Sequence, residues 1–451
     1  MSFTKNKKLH EILIVGGGAG GLELATKLGN SLGRKRKANI TLVDSKKTHV
    51  WKPLLHEIAA GSLNPEKDEL DYLAQAHWHN FKFRLGRMIG IDRNTKEIIL
   101  ESFKDDEGTE IIPNRKFYYD TLIISVGSTI NDFGIKGAAQ NAIALDTQNQ
   151  AERFHQRLHN AILKAQTQSS DDFGFPLKEP EQLEVVIVGA GATGVELAAE
   201  LHKATREMTA YGLDNINPDR DIKISLIEAS NRLLPALPKR MSNSVESELK
   251  KLNVNLYLGE KVTEVTNKGI KTDTGRYITS KLVVWAAGIK APSFLANISG
   301  LKTNKLNQLE VLSTLQTTED SNIFAFGDCA ACPIRPGSLE LVPPRAQSAH
   351  QQASLLYKSM KKVIAGKDNS LPQYSYKDYG SLVNLGRYTT VGNLMGSLMG
   401  GTMFIEGLVA RVMYLMLYQM HLMALHGIMS VIFRLLAKGI TRRFETHVKL
   451  H

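Results

Sequence analysis

Two short glycine runs carry the clearest chemical meaning in this chain of 451 residues. One reads Ile14-Val-Gly16-Gly-Gly18-Ala19-Gly20-Gly21-Leu-Glu23, the other Ile187-Val-Gly189-Ala-Gly191-Ala-Thr193-Gly194-Val-Glu196. Each has Gly-x-Gly-x-x-Gly spacing, follows an apolar run and opens a helix-compatible segment, Leu22–Leu28 or Val195–His202. The first glycine permits a tight turn, the second lets backbone approach a diphosphate, and the third lets helix and strand pack closely. The N–H groups and dipole at the helix start then attract phosphate. The strand after each loop ends in an acid, Asp44 or Glu228, as binding of a ribose diol requires. These acids come later than the usual ~20 residues, because Arg34–Lys37 and Thr209–Asp221 lengthen the connections. One such loop would be weak evidence. Two in register, each with its acid, point to two dinucleotide sites. A carboxylate at Glu228 repels a 2′-phosphate, which favours NADH over NADPH at the second.

These loops need parallel sheets to hold them. Strand-like runs fall at Glu11–Val15, Asn39–Val43, Glu97–Leu100, Thr121–Val126, Glu184–Val188, Ile222–Ile227, Lys281–Ala286 and Ile323–Phe326, with helix-length segments between several of them. This alternation reads as α/β. The two loops form a domain-scale duplication, and the polar, proline-bearing stretch Thr167–Glu181 reads as the link into the second copy. The expected division is 8–150 and 286–380 for a first dinucleotide domain and its return part, 151–285 for the second, and 381–451 for a C-terminal region. With 43% hydrophobic residues, 22% charged residues and only 2 Cys, the chain is neither disordered nor a disulfide scaffold. A formal charge of +11 favours anionic partners. The basic residues do not interleave with aromatics, so no nucleic acid is expected. The apolar run at the N-terminus is too short for a secretion signal, and a cytoplasmic chain is expected.

Two dinucleotide sites in one chain point to a flavoprotein fed by a nicotinamide. Here the sequence resembles the two-dinucleotide-binding-domain flavoproteins related to glutathione reductase. Tyr119-Asp-Thr-Leu-Ile-Ile-Ser-Val-Gly127-Ser and Leu282-Val-Val-Trp-Ala-Ala287-Gly288 look like their domain-crossing strands, and Ile323-Phe-Ala-Phe-Gly327-Asp328 like the strand whose Asp reaches the flavin. The resemblance implies non-covalent FAD at the first loop and NADH at the second. Disulfide reductases of this kind carry a redox cysteine pair after the second strand, and Ser45–Leu63 contains no Cys. Cys329 and Cys332 follow Asp328. As a redox pair or half of a metal site they lack partners, so free structural thiols and no metal site are expected.

Beyond Asp328 lies Ala346-Gln347-Ser348-Ala349-His350-Gln351, which resembles the AQxAxQ signature of type II NADH:quinone oxidoreductases. Four residues apart on a helix, Gln347 and Gln351 share a face, and their amides can bond quinone carbonyls. His49-Val-Trp-Lys52-Pro-Leu-Leu-His56-Glu matches that family's loop near the flavin, and the chain's ending looks most like its enteric bacterial branch. The resemblance implies catalytic roles for Glu196, Gln347 and Gln351. It also implies a respiratory-chain enzyme that passes two electrons from NADH to a membrane quinone such as ubiquinone, as a homodimer. The segment shows no chain of ionisable groups in its apolar part, so no proton pumping is expected. The competing readings are a soluble or sulfide-linked reductase of the same fold, and a non-catalytic redox sensor.

Phe404–Phe433 is mostly Leu, Met, Ile, Val and Tyr, and a basic tail follows from Arg434. At ~100° per residue, Arg411, Gln419, His426, Ser430 and Arg434 fall on one side of a single helix. A polar stripe on an apolar helix suits the membrane interface, which predicts a monotopic protein on the cytoplasmic face of a bacterial inner membrane. A transmembrane helix and a dimer-packing helix are the rivals.

Overall fold

The structure, a computed structural model, describes residues 8–105, 107–168, 182–211, 215–386, 388–396, 401–441 and 448. The elements that matter for function are β1 (His10–Val15), α1 (Ala19–Leu28), α2 (Leu55–Ala60), β2 (Leu183–Val188), α3 (Ala192–Ala210), α4 (Ala346–Ile364), α5 (Leu408–His426) and α6 (Ile428–Thr441). The chain divides into two compact units. The first comprises Met1–Val50, Glu69–Thr129 and Ile289–Lys377; the second comprises Trp51–Asp68, Ile130–Gly288 and Asp378–His451. The sequence reading places the main divisions at 150/151 and 285/286, against 129/130 and 288/289 here.

Each unit contains a five-stranded parallel sheet of the same design. In the first, the order is Ile323–Ala325, Thr121–Ile124, β1, Ala38–Asp44, Lys82–Leu85. In the second it is Ile143–Ala144, Leu282–Trp285, β2, Ile222–Glu228, Asn255–Leu258. The central strand of each is buried along its last four residues, as continuous apolar runs covered on both faces must be. The run Glu97–Leu100 belongs instead to an antiparallel sheet with Met88–Asp92 and Arg115–Tyr118.

Two features differ from the expectations, and parts of two expected segments lie outside the described residues. The link Thr167–Glu181 lies outside the described residues from 169 on, and Arg442, Arg443 and Lys449 of the basic tail lie outside them too. A stretch rich in Gly and Met near residue 390, where no strand-like run is expected, forms strands: Gly380–Asn384, Thr390–Gly396 and Gly401–Glu406 make an antiparallel sheet. Period-2 alternation is hidden there because Gly392 occupies a position where a Cβ would overlap the Leu382 side chain. Lastly, the apolar C-terminal segment is two helices and not one. Gly427, at φ +80, separates α5 from α6, so the polar stripe drawn along a single axis does not exist. Gln419 and His421 of α5 are half-buried, while Leu415, Met416 and Met420 are exposed.

The tight strand-to-helix turns test simply. A Cβ on Gly194 would overlap the Gly189 carbonyl oxygen, whereas one on Gly191 meets open space. Gly194→Ala should therefore cost about 1–3 kcal/mol and lower the thermal midpoint, while Gly191→Ala leaves it unchanged.

Candidate active site

Both glycine loops sit at the carboxyl end of a central strand. Gly16 and Gly189 each have φ +103, a left-handed conformation that favours glycine. A Cβ on Gly16 would overlap the Ser125 carbonyl, and one on Gly189 would lie 2.7 Å from Ala287 Cα, which fixes how closely each crossing strand approaches. Gly18 and Gly191, the N-caps of α1 and α3, face open space, and neither cap carries a side-chain bond. Ala19 is half-buried, Thr193 is exposed, and Gly20, Gly21 and Gly194 are buried in the helix packing. The first-turn N–H groups of each helix point to where an anion would bind.

The two acids repeat the same contact. Asp44 accepts from the Gly17 N–H at 2.6 Å and Glu228 from the Ala190 N–H at 2.8 Å. Burial raises the Asp44 carboxyl above its usual value against the pull of the Gly17 and Lys46 N–H groups. Each carboxylate retains lone pairs for a ribose diol. Open backbone at Gly18 and Gly191, uncapped helix starts and an acid one strand over fit a dinucleotide in each unit. Sequence reasoning passed over Gly17. Its carbonyl accepts from Tyr72 Oη at 2.7 Å and His49 Nδ1 at 3.0 Å, and a Cβ on it would lie 2.5 Å from that hydroxyl.

In the first unit the return strand and α4 close on the same loop. Ser128 donates to Asp328 Oδ2 at 2.9 Å, and Gly127 and Gly327 both have positive φ. A Cβ on Gly20 would lie 3.2 Å from Ala349 Cβ, and one on Gly327 3.8 Å from it. The first turn of α4 is thus packed against both. Ala346 is exposed there and Gln347 half-buried. Gln351 spends its amide on backbone: Nε2 donates to Lys377 O at 2.8 Å and Oε1 accepts from Lys377 N at 3.1 Å. The buried neighbour Gln352, which the motif did not single out, accepts from Gly327 N at 2.8 Å and ties the helix to the Asp328 turn. Glu23 is held by Lys27 at 2.5 Å and His350 at 2.7 Å. Cys329 and Cys332 are buried free thiols, pushed up to about 12 by burial.

In the second unit, Gly288 at φ +66 abuts the Phe133 ring, and Lys52 pairs with Asp146 at 2.7 Å. Glu196 is 7% exposed in the first turns of α3. It accepts from Asn384 N at 3.0 Å, and His56 Nδ1 of α2 stands 3.7 Å away. Burial raises its carboxyl to about 8; the Asn384 bond opposes this, and Glu57 and Glu200 add to it. Tyr414 of α5 is half-buried beside it, and burial and Glu196 raise that phenol well above its usual range.

Residues 10–353 match the family model described as pyridine nucleotide-disulphide oxidoreductase. With two dinucleotide-type sheets and that match, the chain is an oxidoreductase of this class. A type II NADH:quinone oxidoreductase of Haemophilus influenzae is 41% identical over 449 residues, 98% of this chain and 100% of that one. Another from Mycobacterium tuberculosis is 27% identical over 96% of this chain and 88% of its own. NDH2 from Plasmodium falciparum, solved in complex with NADH, has the same fold, with a TM-score of 0.79 at 19% identity over 98% of this chain and 100% of that one. The chain belongs to the type II NADH:quinone oxidoreductases.

The buried acid sets a pH dependence. Because the folded value of Glu196 exceeds its ordinary 4.5, its stabilising contribution is complete below that value and is lost as pH rises through about 8. Relative to Glu196→Gln, the native chain should lose stability, by at most about 4 kcal/mol, between about pH 5 and pH 9. Urea unfolding of both proteins across that range measures the gap.

Proposed function

We propose that this enzyme transfers two electrons from NADH to a membrane quinone, without proton pumping, on the cytoplasmic face of a bacterial inner membrane. The observation that carries the reading is the packing of the first turn of α4 against both Gly20 and Gly327. The helix with the quinone-type signature thereby adjoins the loop fitted to a dinucleotide. FAD bound there would accept hydride from NADH and return the electron pair to quinone. Gly16, Gly18, Ala19, Gly20 and Gly21 hold its diphosphate and Asp44 its ribose. In this reading Gly127, Gly327, Asp328 and Ala346 serve the rest of it.

At the other loop, Gly189, Gly191, Thr193 and Gly194 hold the NADH diphosphate and Glu228 its adenosine ribose. Ala287 and Gly288 keep the crossing strand clear of the nicotinamide half. Gln347 orients the quinone, Gln351 fixes the segment that borders it, and Glu196 exchanges the proton of the reaction. The sulfide-linked alternative needs reactive thiolates, and buried thiols near 12 do not supply them.

Quinone is dissolved in lipid, so the enzyme needs a membrane face. By length and composition α5 is the one described helix able to cross a membrane. Its exposed apolar side chains continue on α6 through Met429, Phe433 and Leu436, and no acid occurs from Leu408 to Thr441. A broad apolar surface with basic residues suits shallow insertion into anionic lipid. Arg434 is partly withdrawn from that role by its 2.9 Å pair with Asp68. The working form in this reading is a homodimer.

Anaerobic addition of NADH should bleach a flavin absorbance, and quinone should restore it. Failure of the quinone to restore it overturns the acceptor. Replacing Leu415 and Phe433 together by Glu removes two inserted side chains of about 1.5–3 kcal/mol each. Sedimentation with anionic vesicles should then fall more than about tenfold. Retained sedimentation places the anchor elsewhere.

A further inference from the structure

The reduction of quinone by NADH consumes one proton: NADH, quinone and H⁺ give NAD⁺ and hydroquinone. That proton must come from water, yet Glu196 and its surroundings are buried. Three neighbours connect it to the outside. His56 of α2 is 2% exposed, with Nδ1 3.7 Å from Glu196 Oε2 and Nε2 4.0 Å from Glu57 Oε1. Glu200 lies one turn beyond Glu196 on α3 and interacts electrostatically with the same imidazole. Glu200 is paired with Lys203 at 2.5 Å, and the Lys203 side chain is 17% exposed. Tyr414 from α5 is a further ionisable group at this cluster.

We propose that His56 relays the reaction's proton from the Glu200–Lys203 pair to Glu196. This rests on the assignment of Glu196 as the proton-exchanging group. The Glu196 O–H bond breaks as the quinone oxygen gains its proton. The carboxylate then takes the proton of one His56 nitrogen while the other nitrogen takes a proton that ionised Glu200 has just collected from water. No electrons move along this route.

The chemistry of each member suits its place. Burial pushes His56 down to about 4, against the pull of Glu200 and of its bond to the Pro53 carbonyl, so it is a neutral imidazole with one donor and one acceptor nitrogen, and its N–H must leave that carbonyl to pass a proton on. That form can pass a proton through without becoming charged in a buried site. Glu200 is also buried, which acts to raise it. The Lys203 charge and hydrogen bond outweigh this and hold it below its usual value as an ionised collector. Glu196 is held high and so carries a proton to give. The 3.7 Å gap exceeds a hydrogen bond, and one bridging water or a small carboxyl rotation closes it.

The test compares the full-length holoenzyme in vesicles with His56→Gln, a neutral replacement that cannot relay. Ferricyanide takes electrons without taking a proton, so the ratio of quinone to ferricyanide turnover isolates proton supply. From about pH 6 to pH 9 that ratio should fall about 10²-fold in His56→Gln, the low end for a positioned proton-transfer group. It should also gain a solvent deuterium isotope effect. Independently of turnover, the infrared carboxyl band that Glu196→Gln abolishes should persist in His56→Gln but exchange with deuterated water more slowly. An unchanged ratio overturns the relay, as does a parallel fall in both activities, which would make His56 a packing residue. A Glu196→Gln enzyme with an undiminished ratio overturns instead the assignment on which the relay stands.

Discussion

A strand that turns into a helix within three residues leaves no room for a β-carbon, and the molecule uses this constraint twice. At Gly16 and Gly189 the backbone takes the same left-handed angle, and at Gly21 and Gly194 the helix lies on the carbonyl of the first glycine. The result is a helix start whose first N–H groups have no partner within the helix. Everything else in the candidate site follows from that exposed backbone. The acid on the next strand ties down the loop through one N–H, and the crossing strand closes the far side.

The first unit builds on its loop by adding α4. Small residues at Gly20, Gly327 and Ala349 let that helix approach, and Gln352 pins it to the turn before Asp328. The amide chemistry of α4 is thus divided by burial. Gln352 serves the fold, Gln351 holds the chain at Lys377, and Gln347 is half-buried in the first turn. The second unit builds differently. There Glu196 is enclosed by α2, by α5 and by the first strand of the C-terminal sheet, through His56, Tyr414 and the Asn384 N–H. Low polarity around this carboxyl raises it toward neutrality, where a proton can be both held and given up.

The C-terminal helices show how a change of context reverses a pattern. Read as one helix, the polar positions make a stripe for water. With the axis broken at Gly427, Trp51 stacks on His421 at 5.9 Å and lies against Tyr418, and Arg434 meets Asp68. Gln419, His421 and Arg434 turn partly toward the protein, Arg411 and Ser430 stay exposed, and many apolar side chains are left outside.

Local pattern alone determined much of this protein. Both glycine loops, the paired acids, the α/β class and the family were legible because a strand–turn–helix and its acid lie within one stretch of chain. Seven of the expected strand runs fall in the two parallel sheets, for the same reason: a doubly covered strand must be apolar throughout. Tertiary structure decided what depends on residues distant in the chain. The sheet from Gly380 to Glu406 was hidden by glycine and methionine, whose packing reveals no period. The place of residues 51–68 in the second unit, the division of labour between Gln351 and Gln352, and the company of Glu196 were likewise hidden. A carboxylate's affinity for a proton is set by what surrounds it, and no spacing along the chain records that.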